Sequence, residues 1–152
     1  MMEDLKNLYQ DVILDHSNSP RNFGVITPHS HQGHGHNPLC GDTVTLYANV
    51  NKNATIEDIS FAGKGCAISM ASASLLTQIV KGKSIQQAQE LFEQFHTLLT
   101  SEDADDNAAL EEMQVLAGVK QFPMRVKCAT LSWHALKEAM SNHSTTLTDE
   151  GE

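Results

Sequence analysis

The sequence predicts an α+β fold, in which a small antiparallel sheet of about three strands packs in two layers against several helices. Apolar residues recur with helical spacing in several segments, whereas strict alternation of period two is confined to a short central region. At 152 residues the chain is long enough to bury a core without disulfides. We expect residues 1–140 to form a single domain and residues 141–152 to form a polar, disordered tail.

The first predicted element is an amphipathic helix near the N-terminus. One apolar stripe with spacing i, i+3, i+4, i+7, i+8 is formed by Leu5, Leu8, Tyr9, Val12 and Ile13. The sequence "NSPRN" at 18–22 ends this helix, and a loop rich in glycine and histidine follows as far as about Pro38. A strand is also predicted near "FGVIT" at 23–27.

A β-hairpin is the next prediction. The run "DTVTLYANV" alternates cleanly, which places Val44, Leu46, Ala48 and Val50 on one face. After "NKNA", the run "TIEDISFAG" supplies further apolar residues, namely Ile56, Ile59 and Phe61. The two strands therefore share one face that packs on a core.

The second half of the chain reads as helical. Residues 67–80 are rich in alanine, serine and leucine, with Gly82 as the C-cap, and we expect these small side chains to pack closely on the sheet. Ser84 and Gln87 form a predicted capping box that opens the next helix. An acidic link, "TSEDADDN", separates it from a short helical stretch around Leu110, Met113 and Leu116.

The last helix is predicted over residues 125–140, after Pro123. Its inward-facing residues are predicted to be Leu131, Ala135, Leu136 and Ala139. Trp133 is interpreted as part of the helix packing and not of a reactive site.

The charge balance of the chain limits the classes of partner that we expect it to bind. Ten basic and nineteen acidic residues give a formal net charge of −9, which argues against nucleic acid and anionic membranes as general partners. An acidic surface is suited to docking on a basic protein. The N-terminus has no secretory pattern and no apolar run reaches the length of a membrane span, so we expect a cytoplasmic protein.

Three cysteines occupy comparable positions. Cys40 lies in the turn "NPLCGD", Cys66 lies at the junction between a strand and a helix, and Cys128 is predicted in the first turn of the last helix. Backbone N–H groups and the macrodipole at a helix N-terminus favour thiolate over thiol. No Cys-x-x-Cys pair occurs, however, so spacing alone does not distinguish a metal site from three small buried residues.

Asp42 is the fourth candidate ligand, two residues after Cys40. Three thiolates and one carboxylate suit a tetrahedral zinc ion. Alternatively, Asp42 only caps a turn. Gly41, Gly63 and Gly65 would allow the chain to fold tightly around a metal.

The motifs "CGD", "GKGCAISMASAS" and "KCATLSW" resemble the IscU/NifU-type iron–sulfur cluster assembly family, with each motif holding its cysteine in the expected order. The resemblance runs from the N-terminal helix through "SPRNFG" to "ALKEAM". It implies an IscU-like fold in which Cys40, Asp42, Cys66 and Cys128 converge at one exposed end and bind metal.

Lys127 separates this chain from cluster scaffolds, which typically have a histidine ligand before the third cysteine. Together with the long acidic link between Cys66 and Cys128, Lys127 makes the chain resemble the SufU branch, whose members hold zinc and accept sulfur from a cysteine desulfurase. The resemblance implies that Cys40 leaves zinc, attacks the persulfide and passes the sulfur to downstream scaffold proteins of cluster assembly. Arg125 matches an arginine near the site in that branch; it could pair with Asp42, steady the released thiolate, or be an ordinary surface arginine.

Alternative functions stay open at this stage. The same ligands could hold iron or an iron–sulfur cluster on a scaffold protein, or a purely structural zinc ion, although aspartate is unusual at structural zinc sites. The histidines of "HSHQGHGH" could also bind metal, and they comprise His29, His31, His34 and His36. We interpret that binding as adventitious, with His36 as the alternative ligand of interest.

Overall fold

A computed structural model describes residues 2–38, 41–101 and 108–141 of the chain, with the side chains of residues 2–9 and 108–109 excepted. The elements in chain order are α1 (Met2–Asn18), β1 (His31–Asn37), β2 (Asp42–Val50), β3 (Ile56–Lys64), α2 (Ala67–Val80), α3 (Ile85–Thr100), a 3₁₀ segment (Ala108–Gln121) kinked at Glu111, and α4 (Pro123–Ser141). The α+β class with a three-stranded antiparallel sheet, predicted from the sequence, is confirmed. None of the helices in these ranges is long and apolar enough to cross a bilayer.

The sheet has the order β1-β2-β3, and β2 and β3 form the predicted hairpin. Alternation places Val44, Leu46 and Ala48 on its buried face, where each side chain is fully enclosed. Ile59 and Phe61 of β3 lie opposite Ala48 and Leu46 on the same face. The alternation of the sequence therefore predicted the buried face of this pair as far as Ala48, beyond which the register shifts between Asn49 and Val50.

The prediction for the third strand was wrong. At 23–27 only Phe23 forms a bridge, to Phe61, whereas the third strand is β1, inside the segment predicted to be a loop. Strand propensity does not predict β1, because the strand contains glycines. A Cβ at Gly33 would lie 2.0 Å from the carbonyl oxygen of Ala135, so the backbone of α4 lies directly on the strand.

The helices divide the core between them. α4 packs on β1 and β2, while α2 packs between α1 and α4 and touches β3 less extensively. The expectation that the small residues of α2 would serve packing on the sheet is thus corrected: their main neighbours are two helices. Trp133 of α4 is fully buried and stacks on Phe92 and Phe95 of α3, as its interpretation as a packing residue requires.

The predicted helix ends match closely at α2 and α3. Gly82 adopts a positive φ of 86° just after α2, and Ser84 and Gln87 make both bonds of the capping box at the start of α3. α4 differs, because it begins at Pro123, so Cys128 is its sixth residue and lies beyond the first turn. Proline is favoured at the first helical position, which the sequence reading had treated as a break. Of the predicted tail, residues 141–152, Ser141 is the last residue of α4, and residues 142–152 lie outside the described residues.

Candidate metal centre

Asp42, Cys66 and Cys128 meet where three elements converge. Asp42 is the first residue of β2, Cys66 is the N-cap of α2, and Cys128 lies in the second turn of α4. One potential ligand atom from each, a carboxylate oxygen and two sulfurs, lies within 4.8 Å of the others. Within the described residues this is the one such group of three or more histidine, cysteine or acidic side chains.

Asp42 is buried and held by two hydrogen bonds from α2. The backbone N–H of Cys66 donates to Oδ1 at 3.1 Å, and the hydroxyl of Ser69 donates to Oδ2 at 2.5 Å. These two bonds fix the orientation of the Asp42 carboxylate beside the two sulfurs, as outer contacts orient metal ligands.

Ser69 is the residue that the sequence reasoning missed. Its Oγ lies 3.7 Å from Cys66 Sγ and 3.4 Å from the carbonyl oxygen of Cys128, so one hydroxyl touches all three members of the group. The available signal was its position three residues after the N-cap of α2, where capping-box side chains act. That signal does not identify Asp42 as the partner, because the contact crosses 27 positions of sequence.

Gly65 has a steric role that its position alone does not reveal. A Cβ there would lie 2.7 Å from Cγ of Asp42 and 2.8 Å from its Oδ1. The carboxylate therefore occupies the space that any larger side chain at 65 would fill. Gly63, with φ 147°, closes similarly on the backbone of Thr43.

The two described cysteines differ in environment. Cys66 is partly exposed at the helix N-terminus, and Cys128 is almost fully buried. Cys40 lies outside the described residues, in the link between β1 and β2. The residues on either side of that link are held in place. Asn37 pairs with Asp42 across the sheet, and the carbonyl oxygen of Asn37 accepts the N–H of Gly41 at 2.8 Å.

Arg125 is exposed in the first turn of α4, and no ion pair joins it to Asp42 within the ranges described. Lys127 is also exposed and lies beside an open cleft with His36. The roles given to Arg125 and Lys127 stay predictions.

The four histidines of the glycine-rich segment do not gather into one site. His31 faces the buried side of β1, whereas His34 and His36 face the other side, because a strand alternates. Nδ1 of His29 lies 2.8 Å from the Ile26 carbonyl oxygen, and its Nε2 lies 3.1 Å from Gln32 Oε1. His34 is hydrogen-bonded to Thr45 Oγ1, and His36 lines the cleft.

His16 is a buried histidine that serves the structure around α2. Its Nδ1 lies 2.7 Å from Ser74 Oγ, and its Nε2 lies 3.7 Å from a carboxylate oxygen of Glu112. Burial lowers the pKa of His16, aided by Arg21 and opposed by the carboxylate of Glu112. The imidazole is therefore neutral at neutral pH.

An α+β domain that gathers thiols and a carboxylate at one end is the frame of a metal- or sulfur-handling protein. The NifU-like N-terminal domain family matches residues 8–129, and the chain belongs to this family. The zinc-dependent sulfurtransferase SufU of Bacillus subtilis (strain 168) is 42% identical over 138 residues, which cover 91% of this chain and 92% of that protein.

Two further similarities support the assignment to the family. The iron–sulfur cluster assembly scaffold protein IscU of Streptococcus pyogenes serotype M1 is 40% identical over 151 residues, covering 98% of this chain and 94% of that one. The crystal structure of FiSufU from Fervidobacterium islandicum AW-1 superposes with a TM-score of 0.77 at 32% identity, covering 86% of this chain and 94% of the other. The resemblance drawn from the cysteine motifs is confirmed, and with it a place in iron–sulfur cluster assembly.

Proposed function

We propose that this chain is a zinc-dependent sulfurtransferase that accepts persulfide sulfur from a cysteine desulfurase and delivers it to iron–sulfur cluster assembly. The observation that carries the proposal is the group of Asp42, Cys66 and Cys128, whose ligand atoms lie within 4.8 Å of one another. The similarity to SufU, a relative named as a zinc-dependent sulfurtransferase, supports the same function.

Cys40 completes the proposed ligand set. It is two residues from Asp42, so its Cα lies within about 7 Å of that of Asp42, since a residue spans at most roughly 3.6 Å. Three sulfurs and one carboxylate oxygen fit the tetrahedral coordination of zinc. The hydrogen bonds that orient Asp42 add the outer contacts typical of metal ligands.

Zinc would keep the thiols that bind it deprotonated at neutral pH without redox chemistry of its own. We assign sulfur acceptance to Cys40, because it lies in the link between two strands while Cys66 and Cys128 belong to helices. The Cys40 thiolate attacks the outer sulfur of the desulfurase persulfide. One S–S bond forms as another breaks, and the desulfurase cysteine leaves as a thiolate, so no oxidant is needed.

Lys127 supports sulfur transfer over cluster building. The position before Cys128 holds an ammonium group, which has no lone pair to offer a metal while it is protonated. Arg125 lies two residues earlier, on the exposed side of α4, and we propose that it steadies the anionic thiolate or persulfide during transfer.

A scaffold on which an iron–sulfur cluster is built and then transferred is the second candidate. It is favoured by the 40% identity over nearly the whole chain to a protein named as an IscU scaffold. The same four residues would then hold iron or a cluster as cargo. In either case we propose that the protein works in the cytoplasm, with a cysteine desulfurase and downstream cluster scaffold proteins as partners.

Anaerobic turnover of a cysteine desulfurase, titrated with the zinc-loaded protein, tests the proposal. We expect saturable acceleration that Cys40→Ser reduces by at least about tenfold, because the acceptor nucleophile is lost. Circular dichroism of the variant checks that it is folded. No acceleration with zinc, together with a stable visible chromophore once iron and sulfide are supplied, would favour the scaffold.

A further inference from the structure

An open cleft of about 360 Å³ lies between the end of β1 and the middle of α4. His36, Asn37 and Pro38 line one wall, and residues of α4 line the other, including Lys127, Thr130 and His134. Its volume falls within the range of roughly 300–1,000 Å³ that is usual for small-molecule sites.

The charge of the cleft is opposite to that of the chain as a whole. The protein carries nineteen acidic residues against ten basic ones, yet none of the described residues that line this cleft is acidic. Lys127 supplies a full positive charge, and His36 and His134 supply two exposed imidazoles. An ammonium and ring N–H donors, with no carboxylate among the described lining residues, favour a small anion.

The position of the cleft relates this anion to sulfur. Lys127 directly precedes Cys128, and Pro38 is two residues before Cys40. A molecule held by Lys127 and His36 would therefore lie beside the link that carries the proposed acceptor thiol. A ligand bound beside that thiol would serve sulfur transfer if it could itself exchange sulfur.

We propose that this cleft binds a small thiol bearing a carboxylate, which takes the transferred sulfur from Cys40; this inference rests on the proposed function. The carboxylate pairs with Lys127 and accepts hydrogen bonds from the imidazoles. The thiolate of the bound molecule attacks the outer sulfur of the Cys40 persulfide. The S–S bond to Cys40 breaks, a new S–S bond forms on the small molecule, and Cys40 leaves as a thiolate.

A binding experiment without free thiols tests the cleft separately from sulfur transfer. The zinc-loaded, ¹⁵N-labelled protein is titrated with 3-(methylthio)propionate and with 2-(methylthio)ethylamine, which are similar in size and opposite in charge. We expect saturable shifts of the Asn37, Thr130 and His134 amides with the carboxylate only. Lys127→Met should weaken binding about fivefold, as loss of one exposed ion pair predicts, whereas Lys52→Met in the turn between β2 and β3, at the other end of the sheet, should not.

A transfer experiment then tests the use of the cleft. The protein is loaded with ³⁵S by a cysteine desulfurase, separated from it, and mixed with 3-mercaptopropionate or cysteamine. We expect the release rate to saturate with mercaptopropionate and to fall about fivefold in Lys127→Met, with cysteamine unaffected by the change. Equal, unsaturable rates with both thiols in both proteins would overturn the proposal.

The two experiments separate the failure of the inference from that of the proposed function. A protein that takes no ³⁵S from the desulfurase fails as a sulfurtransferase, whatever the cleft binds. In that case the titration with methylated probes still decides whether the cleft is an anion site. Identical shifts with the carboxylate and the amine, or none with either, would overturn the site itself.

Discussion

The two helices that bring the described cysteines together make different contacts beside the site. α2 packs through buried apolar residues between α1 and α4, and its buried Ser69 and Ser72 add hydrogen bonds to Asp42 and to the carbonyl oxygen of Ala129. α4 is fixed by close packing on β1, where Gly33 and Gly35 leave room for its backbone. One side of the site thus depends on polar contacts, which tune its ligands, and the other depends on the fit of two backbones.

The polar contacts of α2 extend along its length. The Ser74 hydroxyl lies 2.7 Å from His16 and accepts the backbone N–H of Arg21, and Thr77 accepts a hydrogen bond from Asn22. Replacing one partner would leave a buried polar group unsatisfied at a cost of about 1–3 kcal/mol. Substitutions that disturb the packing of α4 on β1 should therefore lower the free energy of unfolding. Substitutions beside Asp42 should lower metal affinity first.

Gly33→Ala should have the largest effect, on the packing side. The new Cβ would lie 2.0 Å from the carbonyl oxygen of Ala135 and 2.4 Å from the backbone nitrogen of Ala139, so α4 must move off the strand. We expect the free energy of unfolding to fall by about 3 kcal/mol, measured by urea denaturation. Gly118→Ala is the control, since a Cβ there meets nothing within 4 Å. Equal stability of the two variants would contradict this account of α4.

Ser69→Ala should have a smaller and more selective effect, on the polar side. It removes the hydroxyl that donates to Asp42 Oδ2 and leaves the ligand itself in place. Loss of such an outer contact typically lowers metal affinity 10- to 100-fold, so we expect zinc affinity to fall by at least about tenfold in a competition titration with a chelator.

Ser72→Ala provides a matched control for that titration. Ser72 is one turn further along α2 and is also buried, but its hydroxyl donates to the Ala129 carbonyl oxygen instead of to a ligand. We expect this variant to lose stability and keep its zinc affinity. Similar losses of zinc affinity in both variants would mean that Ser69 supports the helix and not the carboxylate.

The sequence predicted those parts of the fold that depend on local patterns. Alternation in β2 and β3, and the capping box of Ser84 with Gln87, are confirmed because each signal lies within a few residues. β1 was missed because glycine and histidine have little preference for strands, and the glycines are explained only by their contact with α4.

The candidate site likewise contains residues that the sequence predicted and residues whose roles depend on the fold. The resemblance identified Asp42, Cys66 and Cys128, which the fold brings within 4.8 Å of one another. Ser69 and Gly65 were missed, because their roles depend on where Asp42 lies in space. Cys128 is predicted in the first turn of the last helix only if that helix begins after Pro123. In the structure Pro123 is itself the first residue of α4, so Cys128 lies in the second turn.

The pH dependence of stability should show the smallest effect, again on the α2 side. Burial lowers the pKa of His16 in the folded state, so below its ordinary value near 6.5 the unfolded chain binds more protons there. The stability contributed by neutral His16 is therefore complete above that pH and is lost as the pH falls through the folded pKa. His16→Gln should flatten this part of the stability profile in urea titrations, and an unchanged slope would contradict a buried, neutral His16.

X-ray absorption at the zinc edge of the zinc-loaded protein tests the central claim most directly. Ligation by Cys40, Asp42, Cys66 and Cys128 predicts three sulfurs at about 2.3 Å and one oxygen at about 2.0–2.2 Å, unchanged in His36→Gln. Asp42→Ala should remove the protein oxygen and keep all three sulfurs. A spectrum that requires two or more imidazole rings, or fewer than three sulfurs, would contradict the account of the site.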